Sequence, residues 1–341
     1  MSVYEDLQKT LPENPRRWLV TGCAGFIASH ITETLLNLDQ RVVGLDNFPT
    51  GYPENLELVR ASVGEQKWKN FSFIEGDITD APTCQNACDG TDLVLHQAAL
   101  GSVPRSIDNP LGSHHANVTG TLNMLTAAKD QSVARFVFAS SSSVYGDDKN
   151  LPKVEDRIGR PASPYAATKR MCEIYAATMA RTFEMETIGL RYFNVFGARQ
   201  NPHGPYAAVI PAWLSAMQNG EPVFINGTGE TSRDFCYIAN AVQANLLAAT
   251  TENENAINEV YNVAMHAQTS LNDLFAMIRD RVRENDPSLD IADAVHREFR
   301  QGDVMHTLAD IKKAKSQLGF EPSYSVREGL ALTVDWFLSR T

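Results

Sequence analysis

A tyrosine and a lysine four positions apart, Tyr165 and Lys169, are the residues of this sequence best suited to acid–base chemistry. On a helix, side chains four residues apart lie on one face, so the lysine ammonium comes close to the phenol or to a ribose between them. A positive neighbour favours the phenolate, which can take a proton from a substrate hydroxyl while hydride leaves the same carbon. The pair also occurs by chance, so it gains weight only from the segments around it.

Four consecutive serines, Ser140–Ser143, directly follow the apolar run 135–139. In doubly wound sheets the carboxyl ends of the strands are the places where ligands bind. A serine hydroxyl at such an end can bridge a substrate hydroxyl and the tyrosine. Without Tyr165 and Lys169, a polar serine-rich loop would be the better interpretation.

A glycine-rich turn follows the apolar run 18–20, with Gly22, Gly25 and Ala28 spaced three apart. Gly22 can make the tight turn, Gly25 lets backbone approach a pyrophosphate, and Ala28 is small enough for helix–strand contact. Asp46 ends the next apolar run, where its carboxylate can bind an adenosine ribose and repel a 2′-phosphate. The pattern therefore predicts a dinucleotide site and favours NAD over NADP.

Two later strand ends carry further candidates for this dinucleotide site. Asp77 follows the third apolar run and suits either an adenine amino group or an ordinary strand-ending turn. The small residues Ala98 and Ala99, preceded by Gln97, would let a pyrophosphate or ribose come close. His96 in the same segment is at least as well interpreted as a core histidine with its hydrogen bonds satisfied.

The elements that must position these residues alternate between short apolar strands and helices. Continuous apolar strands alternating with helices predict an α/β fold, a doubly wound parallel sheet of the Rossmann type. We expect an NAD-binding domain over residues 1–194 and a smaller C-terminal α/β substrate lobe over 195–341, parts of which return to the first. The predicted strands are 18–20, 41–46, 71–74, 93–96 and 135–139, with helices including 29–38 and 116–129.

The composition excludes several classes of protein. A net charge of −11 argues against binding to nucleic acid or to an anionic membrane, so a site for an anionic ligand must be locally basic or built from backbone amides. The N-terminal segment has acids and no apolar core, and no run approaches the roughly 18 apolar residues of a membrane span. We therefore expect a cytoplasmic protein.

The five cysteines are scattered and odd in number, which does not indicate a disulfide framework. Cys84 and Cys88 would share a helix face, yet no nearby Cys or His pair completes a zinc site. We predict no metal.

Taken together, the motifs resemble those of the extended short-chain dehydrogenase/reductases, and among them most nearly the UDP-sugar 4-epimerases. The resemblance spans about residues 4 to 338. Segments 100–106, 206–211 and 225–238 are similar to the bacterial UDP-N-acetylglucosamine/N-acetylgalactosamine and uronic-acid 4-epimerases of surface-polysaccharide pathways. The motifs that carry it are TGCAGFIAS, GDI, HQAA, SSSSVYG, SPYAATK, RYFNVFG and TSRDFCYI.

This resemblance implies a C4 inversion through a 4-keto sugar, with tightly bound NAD that is regenerated in each cycle, in a homodimer. It implies Tyr165 as the base, Lys169 on the nicotinamide ribose, Ser141 assisting the base, and Ser142 beside it. The cofactor contacts it implies are Gly22, Gly25, Phe26, Ile27, Asp46, Asn47, Asp77, Ile78, Gln97, Ala98, Ala99, Tyr165, Lys169, Tyr192 and Val195.

The resemblance also implies a set of contacts to a UDP-sugar. Arg233 and Arg300 would hold the diphosphate, Asp303 the uridine ribose, and Asn194 the diphosphate or sugar. Thr307 would form a wall of the sugar pocket, where a threonine leaves the space that an N-acetyl group needs. The remaining contacts are Gly101, Ser102, Ser141, Ser142, Ser143, Trp213, and, around uracil, Ala208, Val209, Phe224 and Asn226.

The sequence departs from its nearest relatives at Ala28, where a third glycine is usual, at Ala212, where a lysine is usual, and at Met305, where an arginine is usual. The last two put the exact substrate in question. Three other functions share the fold. The related 4,6-dehydratases carry Asp-Glu where this chain has Ser142-Ser143, uronate decarboxylases carry a Glu there, and catalytically inactive sensors lose the tyrosine or lysine.

Overall fold

A seven-stranded parallel sheet organises the molecule, which a computed structural model describes over residues 2–202, 207–299 and 305–340. The strand order is β11-β6-β5-β4-β1-β2-β3, and every neighbouring pair is parallel. The predicted doubly wound parallel sheet is thus confirmed. Its strands are β1 (Arg17–Thr21), β2 (Arg41–Asp46), β3 (Phe71–Glu75), β4 (Leu93–His96), β5 (Arg135–Ser141), β6 (Thr187–Tyr192) and β11 (Glu259–Val263).

The sheet forms because its central strands are apolar on both faces. Trp18 and Val20 of β1 pack on one side with α2 and α10, whereas Leu19 packs on the other side with α4, α7 and α8. Both layers bury their residues almost completely, which is typical of a parallel sheet covered by helices on both faces. The helices of this part are α1 (Val3–Thr10), α2 (Phe26–Asn37), α3 (Pro53–Trp68), α4 (Ala81–Cys88), α5 (Val103–Asp108), α6 (Pro110–His114), α7 (Gly120–Asp130), α8 (Pro164–Phe183) and α10 (Ile238–Thr250).

The C-terminal part has its own core, built around Trp213, Phe275 and Leu330. It is not a separate domain, because its strand β11 (Glu259–Val263) pairs with β6 in the main sheet. Three two-stranded sheets connect the loops here, pairing β10 with β7, β12 with β9, and β13 with β8. The elements are β7 (Val195–Phe196), α9 (Val209–Gln218), β8 (Phe224–Asn226), β9 (Ser232–Arg233), β10 (Cys236–Tyr237), β12 (Thr269–Ser270), α11 (Leu271–Asn285), β13 (Val295–Arg297), α12 (Lys312–Leu318) and α13 (Val326–Leu338).

Some predicted boundaries are wrong. α2 begins at Phe26, three residues before the predicted start, because Gly25 already supplies its extended N-cap. The predicted helix 116–129 opens with a wide turn, His115–Thr119, before α7 begins at Gly120. None of the helices in the described ranges is long and apolar enough to cross a membrane.

Candidate active site

A cavity of about 410 Å³ opens at the carboxyl ends of the strands, which is within the size range of small-molecule sites. The turn between β1 and α2 forms its floor. Gly22 has φ +70°, and a Cβ there would lie 2.9 Å from the Ala98 Cα, so this turn requires glycine. The N-terminus of α2 points its free backbone N–H groups at this place, which suits a pyrophosphate. Gly22, Gly25, Phe26 and Ile27 all lie on the wall.

The ends of β2 and β3 form the next part of the wall. Asp46 is buried, and its two carboxylate oxygens accept the N–H groups of Phe48 at 2.7 Å and Ala24 at 2.9 Å. Burial raises the pKa of Asp46 and these hydrogen bonds oppose the rise. Each oxygen keeps a lone pair for a ribose hydroxyl. Asn47 donates to Asp77 at 2.7 Å, and the predicted residues Asp46, Asn47, Asp77 and Ile78 all line the cavity.

A closed ring of three hydrogen bonds supports the wall at the end of β4. The Tyr192 hydroxyl donates to Gln97 at 2.9 Å, Gln97 donates to Asn245 at 2.9 Å, and Asn245 donates back to Tyr192 at 2.7 Å. Gln97 and Tyr192 line the cavity together with the predicted Ala98 and Ala99. Asn245, for which the sequence gives no local signal, therefore ties the wall to α10, which packs beside α2 on one face of the sheet.

His96 is a core residue, the interpretation that the sequence left open. Its Nδ1 lies 2.8 Å from the Thr21 hydroxyl and its Nε2 lies 3.0 Å from the Thr121 hydroxyl. Burial, together with the charge of Lys169, lowers the pKa of His96 to about 3. The Ala98 N–H also donates to Thr21 at 3.1 Å. The neutral imidazole thus holds the β4 end against the glycine turn.

Helix α8 positions the predicted acid–base pair. It begins at Pro164, and the Ser163 hydroxyl caps it by accepting the Ala166 N–H at 3.1 Å. Tyr165 and Lys169 both line the cavity, with the lysine ammonium 6.0 Å from the centre of the tyrosine ring. Lys169 is buried and donates to the Ala139 carbonyl at 2.8 Å, which fixes its ammonium at the end of β5.

The serine loop begins at the end of β5 and is anchored from behind by a buried ion pair. Ser140 lines the cavity and donates to Glu173 at 2.6 Å. Burial would raise the pKa of Glu173, but the Arg191 guanidinium, 2.8 Å away, holds it below its ordinary value. The partly exposed Ser141 accepts the Ser143 N–H at 3.2 Å.

The predicted roles of Ser141, Ser142 and Ser143 stay predictions, because the cavity wall includes Ser140 but none of these three. The buried Ser143 hydroxyl has no hydrogen-bond partner among the described residues. Gly101 lies on the cavity wall and Ser102 caps α5 by accepting the Arg105 N–H at 3.3 Å. The predicted Val195 is in β7 and does not belong to the wall that the described residues form.

Three predicted substrate contacts, Asn194, Arg233 and Thr307, lie close together around Asp234. Asn194 donates to the Asp234 carbonyl at 3.2 Å, and the Thr307 hydroxyl accepts the Asp234 N–H at 3.2 Å. Arg233 donates to the Ser232 carbonyl at 3.0 Å and to the Met305 carbonyl at 3.3 Å. Arg300 and Asp303 lie outside the described residues.

The residues predicted around uracil surround the start of α9 and strand β8. Phe224 begins β8 and Asn226 ends it, and the Arg297 guanidinium lies 3.1 Å from the centre of the Phe224 ring. Trp213 is buried, and its indole N–H donates to the Phe224 carbonyl at 3.2 Å, so it supports this strand from the core. Ala208 is the extended residue before α9, and Val209 is its first residue.

The cavity fits a dinucleotide. It combines a glycine turn closed against Ala98, a helix N-terminus, and carboxylates at the ends of β2 and β3. Sequence reasoning missed several wall residues in the turn after Asp46. Gly51 is one of them. This position requires glycine, because a Cβ there would lie 2.9 Å from the Ala24 carbonyl carbon. The run Pro49-Thr50-Gly51 beside Asp46 is the turn signal that points to it.

Comparison with known proteins supports a dinucleotide site in this cavity. The model of the NAD dependent epimerase/dehydratase family matches residues 18–264. The UDP-glucose 4-epimerase of Mycolicibacterium smegmatis is 33% identical over 330 residues, which cover 95% of this chain and 99% of that protein.

Solved structures agree as well. The UDP-N-acetylglucosamine 4-epimerase of Methanobrevibacter ruminantium, in complex with UDP-N-acetylmuramic acid, is 38% identical with a TM-score of 0.86, covering 96% of this chain and 99% of that one. The UDP-glucose 4-epimerase of Thermotoga maritima, with UDP-glucose, is 35% identical with a TM-score of 0.85, covering 95% and 99%.

Proposed function

This chain belongs to the NAD-dependent epimerase/dehydratase family, and from that premise we propose that it inverts C4 of an N-acetylated UDP-hexosamine or its uronic acid. Relatives that align with nearly the whole chain support the general activity, that of a UDP-sugar 4-epimerase that uses NAD. The observation that carries it is the meeting of Tyr165 and Lys169 in one cavity with a dinucleotide cradle.

The chemistry divides between two groups of residues. When bound against the glycine turn and Asp46, NAD would supply the acceptor and donor for the C4 hydride, and the residues around it bind the sugar and move the proton. Tyr165 takes the 4-hydroxyl proton and gives it back, while Lys169 holds a positive charge beside the phenol and binds the nicotinamide ribose. Ser141 hydrogen-bonds the reacting hydroxyl, and Arg233 holds the diphosphate about which the 4-keto sugar turns.

The N-acetyl preference rests on Thr307. A bulky tyrosine at this position would fill the space next to C2, whereas threonine leaves it open. The Thr307 hydroxyl accepts the Asp234 N–H, which leaves its own proton free to donate to an acetamido oxygen. Threonine often caps helices, but Thr307 does not cap one here, because the next helix, α12, begins at Lys312.

Elimination of water or carbon dioxide requires an acid that this loop lacks. The carboxylate of Glu173 reaches the serine loop from behind, where it accepts the Ser140 hydroxyl at 2.6 Å. Arg191 and Arg170 both donate to that carboxylate, so it is neutralised and committed to the fold. The geometry therefore favours redox inversion over the dehydratase and decarboxylase alternatives.

We further propose that the cofactor and the UDP group are bound by different parts of the chain, which divide near residue 194. Cofactor contacts come from the first 194 residues, and UDP contacts come mostly from residues 195–341.

We also propose a homodimer. Neighbouring helices α5, α6 and α8 expose large apolar side chains, which suits a face shared by two copies. These are Ile107, Leu111, Ile174 and Tyr175.

Paired substrates and two variants of Thr307 test the proposal. We expect a higher kcat/KM for UDP-N-acetylglucosamine than for UDP-glucose. Thr307→Tyr should abolish turnover of the N-acetylated sugar and spare UDP-glucose. Because Tyr also removes the acceptor of the Asp234 N–H, Thr307→Val serves as the matched control. It loses the same acceptor without filling the space, so the N-acetylated sugar should still turn over, with a lower kcat/KM because its acetamido hydrogen bond is lost.

Equal loss of both substrates in Thr307→Tyr, or no loss of either, would remove Thr307 from the pocket wall. The same assay on the corresponding uronic acids determines whether a C6 alcohol or a C6 carboxylate is preferred.

A further inference from the structure

Asp234 is a fully buried acid at the junction of chain segments that are distant in sequence. Its Oδ1 accepts the Met265 N–H at 2.8 Å, and its Oδ2 accepts the Ala309 N–H at 3.1 Å. Burial raises the pKa of Asp234 to about 6, and the backbone N–H groups oppose the rise. Both carboxylate oxygens are thus held by backbone donors, which favour the ionised form.

The main chain of the same residue joins the predicted substrate contacts. Its N–H donates to the Thr307 hydroxyl at 3.2 Å, and its carbonyl accepts from Asn194 at 3.2 Å. Arg233 immediately precedes it in β9. The Thr307 N–H also donates to the Ser232 carbonyl at 3.1 Å, which aligns the two segments side by side.

The segment that Asp234 holds also reaches the loop before α8. Ala309 pairs with Lys153, whose N–H donates to the Leu308 carbonyl at 2.7 Å. The Asp310 N–H donates back to the Lys153 carbonyl at 2.8 Å. Lys153 belongs to the stretch between the serine loop and Tyr165, so the substrate side and the catalytic side are braced through one strip of chain.

We propose that Asp234 is a positioning residue that sets the geometry of the nucleotide-sugar site by holding the segments of Arg233, Thr307 and Asn194 together. A charged acceptor makes stronger hydrogen bonds to backbone N–H groups than a neutral one does. An asparagine of the same shape would also point an N–H₂ group at one of these donors. The inference rests on the proposed function, because the segments matter only if they bind a UDP-sugar.

Asp234→Asn tests this position, with binding of UDP measured by calorimetry and kinetics measured on UDP-N-acetylglucosamine. Loss of a charged hydrogen bond predicts about a tenfold or greater rise in the Kd for UDP and in KM. We expect kcat to change much less and the content of bound NAD to stay at the wild-type level. That KM-against-kcat split distinguishes positioning from a general loss of folded protein.

Glu155→Gln is the matched control. Glu155 is also a buried carboxylate, and it accepts a backbone N–H, that of Asn262, at 2.9 Å. Within the described residues it makes no hydrogen bond to the segments of Arg233, Thr307 or Asn194. We expect this variant to bind UDP like the wild type, and an equal loss in both variants would overturn the specific role of Asp234.

The outcomes separate the two proposals. A wild-type protein that does not bind UDP contradicts the proposed function itself. A wild-type protein and an Asp234→Asn variant that bind UDP alike contradict only the positioning role. If Asp234→Asn does not fold, Thr307→Val removes another hydrogen bond of the same junction, the one from the Asp234 N–H to the Thr307 hydroxyl. It should raise the Kd for UDP about threefold or more. Unchanged binding in that variant overturns the inference.

Discussion

The cofactor side and the substrate side of this protein are built in different ways. The cofactor cavity lies where consecutive parallel strands end, so its residues follow the apolar runs that form the sheet. The proposed substrate contacts come from segments near residues 194, 233 and 307, which hydrogen bonds to Asp234 bring together. The first side is fixed by regular structure, and the second depends on a few polar links between loops.

The largest effect that this difference predicts is on the glycine turn. Gly22→Ala forces φ +70° on a residue with a Cβ and places that Cβ 2.9 Å from the Ala98 Cα. We expect the variant to purify without bound nucleotide and without activity, whereas the wild type releases NAD rather than NADP on denaturation, because Asp46 repels a 2′-phosphate.

Gly220→Ala is its control, because Gly220 has φ +65° but open space where a Cβ would lie. It should lose about 1–2 kcal/mol of stability from the left-handed backbone and retain its NAD. A Gly22→Ala protein that keeps NAD would show that the turn is not the cradle.

The next largest effect concerns chemistry without binding. Tyr165→Phe removes the phenol that lines the cavity beside Lys169, and we expect kcat to fall at least roughly a hundredfold. Bound NAD should remain, since the cradle is formed by other residues. Tyr175→Phe, on the exposed face of the same helix, removes a hydroxyl outside the cavity and is the control. Near-normal turnover by Tyr165→Phe would take this residue out of the mechanism.

The smallest effect is a dependence of stability on pH through His96. Its pKa is about 3 in the folded protein and about 6.5 when unfolded, so below pH 6.5 the unfolded chain binds the extra proton. The free energy of unfolding therefore falls as the pH drops, by up to about 1.4 kcal/mol per pH unit from this group. Denaturation of the wild type and of His96→Asn at pH 7, 6 and 5 isolates the contribution, and parallel curves would contradict it.

The sequence predicts the parallel sheet because the sheet follows local patterns, and several residues of the cavity wall follow the same patterns. Asp46, Gln97 and Tyr165 stand at the ends of apolar runs or at helical spacing, and the structure places each on the cavity. Asn245 escapes such reasoning, since its partners are 53 and 148 residues away in the chain.

Asp234 escapes it for the same reason. The residues next to Asp234 in the sequence do not indicate that the N–H groups of Met265 and Ala309 will donate to its carboxylate. Trp213 differs from Asp234. The sequence predicts that Trp213 contacts the substrate, whereas in the structure its side chain is buried in the core behind Phe224. Contacts that depend on the meeting of distant loops need the folded structure.

The most direct test is proton NMR of UDP-N-acetylglucosamine incubated with the purified protein in D₂O, with no NAD added. The account predicts that UDP-N-acetylgalactosamine accumulates to a constant ratio and that the hydrogen at C4 is retained, because the same hydride leaves and returns. Loss of water or carbon dioxide, deuterium at C4, or an unchanged spectrum from protein that carries NAD would contradict it.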